Sequence, residues 1–153
     1  MANANAGSKI LIHPNPINPA TATLSSLAAL AYVEIKGIGS MGETGSSTNI
    51  LTYDTWDTDV IQKAKGMTDA GSPQLEVARI SNDPGQIALR AACLTNLNYA
   101  VKIVKNDHPT APTAIYNIGL VTGPKRPNGR NEDFDLELFT FGFQQREIIV
   151  PAT

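Results

Sequence analysis

The sequence predicts a mainly β domain, sandwich- or barrel-like, with one flanking helix over about 83–96 and a long inter-strand loop over about 37–49. Three observations carry this reading. The apolar runs are short, and several alternate with polar residues at the two-residue period of a half-buried strand. Twelve glycines and ten prolines interrupt them, which suits strands joined by turns rather than a helical bundle. Only one stretch, opening at Asp83, joins a helix-start signal to helical spacing. A chain of 153 residues can bury one real core. Its composition divides it into an extended N-terminal arm over 1–26, a single domain over 27–150 and a tail over 151–153.

The arm is rich in Ala, Asn and Thr and holds Pro14, Pro16 and Pro19, so it is expected to be extended, with one short strand at 9–12. Residues 32–36 alternate, Val33 and Ile35 against Glu34 and Lys36. A second strand is expected over 50–57, a short helical turn over 59–65 ending at Gly66, a polar connection over 68–73 and a third strand over 74–80. Asp83 then reads as an N-cap, Pro84 as the first helical residue and Gln86 as the third, a capping-box arrangement. Ile87, Ala91 and Leu94 recur at helical spacing, with Leu89, Cys93 and Leu97 alongside and a stop near Asn96 or Asn98. Small residues Ala88, Ala91 and Ala92 would let a sheet approach closely. Strands follow over 99–104 and 113–122, separated by a proline-bearing turn over 106–112. The connection over 123–131 contains Pro124, Pro127 and the turn pair Asn128-Gly129. In 133–150 the apolar phase changes from Phe134, Leu136 and Leu138 to Phe139, Phe141 and Phe143, which a period-two strand accommodates only with a bulge, a bend or a second buried surface.

The span GIGSMGETGSSTN over 37–49 is too long and polar for a hairpin, whose loops usually take two to five residues. Ordering it costs roughly 1–2 kcal/mol of backbone entropy per residue. Ile38 and Met41 return only about 1.5–3 kcal/mol each on burial. A neighbouring copy of the protein is the natural source of the missing contacts, which points toward assembly rather than catalysis.

The chemistry of the chain agrees. A formal charge of −2 argues against a surface built to hold nucleic acid. The single Cys93 excludes an internal disulfide and a multi-cysteine zinc site, and its apolar context suits a buried, inert thiol. The apolar stretch over 24–33 is far shorter than the roughly 20 residues of a membrane helix and makes a poor signal peptide, so the expectation is a protein without a membrane anchor, kept in a reducing compartment. Gly37, Gly39 and Gly42 match a dinucleotide-binding pattern, but the helix that pattern needs does not follow. His13 and His108 sit beside prolines in turn-like contexts, without ligand spacing. Asp54, Asp57 and Asp59 around Trp56 read as a solvated strand end rather than a calcium or catalytic site. Ser25-Ser26 and Ser46-Ser47 belong to no nucleophile motif. Lys125, Arg126 and Arg130 form a basic cluster on a turn, read as a solvated loop or, more sharply, as a contact to an acidic patch on another subunit. No cofactor, metal or catalytic site is expected.

The order of these features resembles the tail tube (major tail) proteins of long, non-contractile-tailed bacteriophages. The residues that carry the resemblance are Glu34-Ile35-Lys36-Gly37-Ile38-Gly39, Gly42-Glu43, Tyr53-Asp54-Thr55-Trp56-Asp57, Lys65-Gly66, Leu75-Glu76-Val77 and Asp83-Pro84-Gly85 before the lone helix. The match runs from about 32 to 140. It implies a β-sandwich-like domain forming hexameric rings that stack into a virion tail tube, assembled in the host cytoplasm. The implied partners are further copies of the chain, a tape-measure protein, the tail terminator and distal tail proteins, with genomic DNA passing through without stable binding. The loop toward the adjacent ring would comprise Gly39, Met41, Gly42, Glu43, Thr44, Gly45, Ser46 and Ser47. Strand alternation adds Glu34, Lys36, Asp135 and Glu137 as candidates for the lumen face, three of them acidic and so unattractive to a polyanion. A tube protein of a contractile tail or secretion system is the neighbouring alternative. A β-sandwich binding module, such as a carbohydrate-binding domain, is the alternative from another class.

Overall fold

The structure, a computed structural model, describes residues 4–54, 56 and 59–152. Thr55 and Asp57 of the predicted 50–57 strand, Thr58, the first residues of the arm and Thr153 of the tail lie outside the described residues. The strands are β1 (Lys9–Ile12), β2 (Val33–Ile35), β3 (Ile38–Met41), β4 (Ser47–Tyr53), β5 (Gln62–Asp69), β6 (Gln74–Ala78), β7 (Tyr99–Val104), β8 (Ala114–Lys125), β9 (Leu136–Phe143) and β10 (Ile148–Val150), and all but β3 and β5 overlap stretches expected to be strand. The helices are α1 (Leu24–Ala28) and α2 (Pro84–Cys93). The main sheet is antiparallel, in the order β2-β1-β7-β8-β9-β6-β3, with β10 continuing along β8 beyond β9.

Both ends of that order come from one bent segment. β2 and β3 are separated only by Lys36 and Gly37, and Gly37 adopts φ 78°, with the Ala78 carbonyl 2.8 Å from where a Cβ would stand. The turn re-aims the chain from β1 to β6 and rolls the sheet into a barrel-like form.

The strand predicted in the N-terminal arm forms, and it is internal, paired with β2 and β7 with Ile10 and Ile12 buried. Extended chain was expected up to residue 26, but Leu24 opens α1. The last proline of the arm is Pro19, and Thr23 with Ser26 then closes a capping box. This segment covers the outer face of β7 and β8, where Leu27 packs with Ala100, Tyr116 and Ile118.

The main core lies on the other face, built on Phe139, Phe141 and Phe143 of β9, Leu75 and Val77 of β6, and Leu89 of α2. The phase change in 133–150 has a plain resolution. β9 keeps one alternation with Glu137, Phe139, Phe141 and Phe143 inward, and the irregularity falls on its partner β8 between Thr122 and Lys125. Phe134 lies before the strand and is exposed.

α2 starts where predicted, with the Asp83 carboxylate accepting from the Gln86 N–H at 3.2 Å. Gln86 does not complete a capping box. Its amide accepts from Ile80 N–H at 2.8 Å and donates to the carbonyls of Lys36 at 2.7 Å and Ala78 at 2.9 Å, tying the β2–β3 bend to the end of β6. The buried stripe is Gly85, Gln86, Leu89 and Ala92; of the expected lines Leu89 is buried and Cys93 half-buried, while Ile87, Ala91, Leu94 and Leu97 are exposed. Of the small residues expected to let the sheet approach, Ala92 is buried and Ala88 half-buried while Ala91 is exposed, and the close approach is at Gly85, where a Cβ would run into the Glu34 carbonyl and Ile35 Cα. The helix ends at Cys93, earlier than the asparagines suggested.

Candidate assembly surface

Two predictions fail together at the most exposed part of the molecule. Residues 37–49 are not one long loop, and residues 59–65 are not a helical turn. Ile38–Met41 form β3 on the edge of β6, residues 42–46 make a short connection, and Ser47 begins β4, which pairs with β5 as a separate two-stranded sheet. Ladder hydrogen bonds thus supply much of the ordering free energy that seemed missing. The Thr48 and Thr68 hydroxyls meet across the hairpin at 2.8 Å.

The hairpin exposes most of its large apolar side chains: Ile50 at 68%, Tyr53 at 70%, Met67 at 85%, with Leu51 and Ile61 also open and Trp56 at its far end entirely so. An isolated two-stranded ribbon is marginal in water, and its large apolar side chains, with Ile50 and Leu51 on opposite faces of β4, are left to solvent in the protomer. The ribbon leaves the main sheet where β3 ends and β6 begins. There Gly42 N–H donates to the Gln74 carbonyl at 2.8 Å, and Arg146 donates to Thr68 Oγ1 at 2.9 Å.

The residues predicted to contact an adjacent ring divide by this geometry. Gly39 and Met41 are in β3, where Met41 packs against the core, and Ser47 starts β4. Gly42, Glu43, Thr44, Gly45 and Ser46 form the connection, with Gly45 at φ 115°. Gly39, Met41, Gly42 and Thr44 also line a groove of about 590 Å³ between β3 and the start of β1. The element after Gly42 is strand β4 rather than a helix, so the glycine pattern has no helix N-terminus beside it to offer a phosphate.

Of the four candidates for a polar lumen face, Glu34 is half-buried, and Lys36 and Asp135 are exposed. Glu137 is overturned as a solvent-facing carboxylate: it is 0% exposed and occupies an inward position of β9 in line with the phenylalanines. Arg90 makes that placement tolerable, donating to Oε1 from Nε at 2.9 Å and from Nη2 at 2.6 Å. Arg126 Nη2 lies 3.2 Å from Oε2, and Arg79 Nε lies 3.9 Å from Oε1. Burial pushes the carboxyl up, but the hydrogen bonds and charge of Arg90, then of Arg126, outweigh it and hold it below the usual carboxylate range. Arg79 also pairs with Asp135 at 3.7 Å. The basic cluster on the 123–131 connection therefore divides, since the Arg126 side chain reaches back to Glu137 while the Arg130 backbone N–H donates to the Asp133 carboxylate at 2.8 Å. Sequence reasoning passed over Arg79 and Arg90. The signal available was Glu137 itself, which shares the period of Phe139, Phe141 and Phe143 and so needed a cation beneath the sheet.

Cys93 is half-buried, its thiol pushed up to about 11 by burial and by Glu137, as suits an inert group. His13 Nδ1 meets the Ala31 carbonyl at 2.7 Å, joining the end of β1 to the chain before β2, and His108 Nδ1 accepts from the Ala111 N–H at 3.0 Å within a local turn. Asp54 and Asp59 are exposed beside Trp56. Among the described residues, no cluster of His, Cys, Asp and Glu is placed to hold a metal, and no helix is long and apolar enough to cross a membrane.

No protein-family model and no curated protein matches the sequence. Solved structures do match. A chain from the cryo-EM structure of the anti-feeding prophage baseplate, 6-fold symmetrised, aligns with a TM-score of 0.65 at 9% identity, covering 99% of this chain and 98% of that one. A chain from the cryo-EM structure of the sheath/tube terminator of an extracellular contractile injection system, PVC, in the extended state, aligns with a TM-score of 0.70 at 11% identity, covering 98% of this chain and 97% of that one. These likenesses establish a shared fold over essentially the whole chain. The second comes from a contractile system, so they do not single out the non-contractile tails that the sequence resembles.

Proposed function

We propose that this chain is a non-enzymatic structural subunit of a phage-tail-like tube, assembling head to tail into stacked sixfold rings. The observation that carries the reading is the β4–β5 ribbon, whose large apolar side chains Ile50, Leu51, Tyr53 and Met67 stay mostly exposed in the protomer. The fold shared with a tube-terminator structure and a sixfold baseplate structure supports the same class. The contractile version, a tube within a sheathed tail or injection system, is favoured by that second likeness. The non-contractile version retains the order of sequence features running from about 32 to 140. A tape-measure protein, terminator and distal tail proteins are the partners of either. Lys36, Asp135 and the half-buried Glu34 remain the proposed lumen-side groups.

A carbohydrate-binding module would use exposed aromatics on a platform. Tyr53 and Trp56 are exposed here, but they share the ribbon with Ile50, Leu51 and Met67, a mixture suited to protein contact rather than to sugar rings. Negative-stain microscopy of purified protein tests the proposal. Rings about six subunits around, or tubes, are expected. Monomers persisting at about 1 mM, where even a millimolar contact is populated, would remove it.

A further inference from the structure

The ribbon and the arginine cluster lie at opposite ends of the same strands. β6 begins at Gln74 beside the root of the ribbon and ends at Ala78, where Arg79 N–H donates to the Asp135 carbonyl at 2.8 Å. β9 and β8 repeat the polarity, with Leu136 opposite Ala78 and Lys125 opposite Leu138, which brings Arg126 to the far end as well. At that end the guanidiniums of Arg79, Arg90 and Arg126 pair with the carboxylates of Asp135 and Glu137, and the connection from Arg126 to Asp135 adds exposed Arg130, Glu132 and Asp133. Glu137 is wholly buried, while the side chains of Arg79 and Arg126 remain 42% and 49% exposed. Exposed apolar groups flank them: Phe134 next to Asp135, and Ile80, whose carbonyl receives Arg90 Nη2 at 3.4 Å. The ribbon offers the complement, Asp54 and Asp59 exposed on either side of Trp56, together with Ile61.

From this we infer that the ribbon end of one copy docks on the Arg79–Arg126–Phe134 patch of the next copy, with Asp54 and Asp59 meeting the arginines and Trp56 covering Phe134 and Ile80. The inference rests on the assembly proposal and names the surface that receives the ribbon. Tip and patch are different surfaces at opposite ends of one chain, so the contact is heterologous and propagates head to tail. The buried Glu137 fixes the guanidiniums in place while leaving their outer edges open, a pre-ordered site for carboxylates. Arginine beside aromatic and aliphatic groups is also the usual composition of a contact centre.

A charge-reversal pair tests it. One chain carries Asp54→Arg with Asp59→Arg, the other Arg126→Asp, and each is checked for native circular dichroism. Sedimentation at low salt should show each variant alone associating at least about tenfold more weakly than wild type, because every contact then joins like charges. A one-to-one mixture should recover assembly, since each tip then meets an opposite patch. Raising salt should weaken wild-type and mixed assembly together. If Arg126→Asp disturbs the fold around Glu137, mixing Asp59→Cys with Arg126→Cys chains replaces it, and an inter-chain disulfide is expected under mild oxidation. Wild-type-like assembly by the single variants, or neither recovery on mixing nor a cross-link, overturns the docking site and leaves the assembly proposal standing. Wild type that stays monomeric at about 1 mM overturns both.

Discussion

Glu137 occupies a position where alternation demands an apolar residue, and its neighbours show the consequence. Arg90 is mostly buried beside it, so removing only the carboxylate strands a guanidinium away from water. Glu137→Leu should therefore lower unfolding free energy by about 3–5 kcal/mol. Glu137→Leu combined with Arg90→Leu should recover most of that loss, because a well-packed apolar pair can replace a buried ion pair at little cost. Denaturant midpoints of the three proteins decide the matter, and a double variant no better than the single one would deny the coupling. The pH dependence follows from the same pair. The folded carboxyl is held below its ordinary value of 4.5, so its contribution is fully present above that pH and is lost as pH falls through the folded value. Wild type should lose stability more steeply than the double variant below about pH 4.

At the scale of elements, α2 shows how close packing fixes a helix on a sheet edge. Gly85 sits against backbone, the Glu34 carbonyl and Ile35 Cα, and backbone cannot swing aside as a side chain can. Gly85→Ala should cost at least the 1–3 kcal/mol typical of overpacking, measured as a lower chemical-denaturation midpoint. Ala88→Gly, on a half-buried part of the helix, should cost only about 1 kcal/mol, from helix propensity. The start of α2 was legible in the sequence because Asp83-Pro84 is a local signal. Its buried face was not, because Gln86 looks polar in sequence yet is wholly buried by satisfying three backbone groups from the β2–β3 bend, β6 and the chain beyond β6. β1, β2, β6, β7 and β8 were legible because one face of each alternates or both faces are apolar. Of the ribbon, β4 was legible in part, from Ile50 to Tyr53, but β5 was not, because it reads Gln-Lys-Ala-Lys-Gly-Met-Thr-Asp and buries neither face. Without burial there is no period-two signal, and polar residues read as turn. The glycine-rich span was singled out for a real reason, its poverty of internal contacts, while its division between β3 and β4 depended on partners distant in sequence.

For the whole molecule, the separation between a doubly packed sheet and an uncovered ribbon sets distinct local stabilities. β7 and β8 are covered by the phenylalanine core on one face and by the α1 segment on the other. The ribbon has its own ladder, the Arg146 hydrogen bond to Thr68 at its root and exposed apolar side chains. Replacing residues 48–67 by a two-residue Asn-Gly turn should leave the core's thermal transition within a few degrees of wild type while abolishing assembly. A collapsed fold would show that the ribbon belongs to the core. Hydrogen exchange resolves the two regions in the intact chain. In monomeric protein the amides of β4 and β5 should exchange through local opening, orders of magnitude faster than those of Val101, Ile103 and Ile118, which open only with the global transition. In assembled protein, β4 and β5 should gain protection of at least about a hundredfold, since fully covering just one or two of their large apolar side chains contributes about 3 kcal/mol. The β7–β8 amides should change little. The contrast between the regions is the informative quantity, because bulk aggregation would slow exchange without sparing one element. Equal protection of the ribbon before and after assembly would place the subunit contact elsewhere on the protomer.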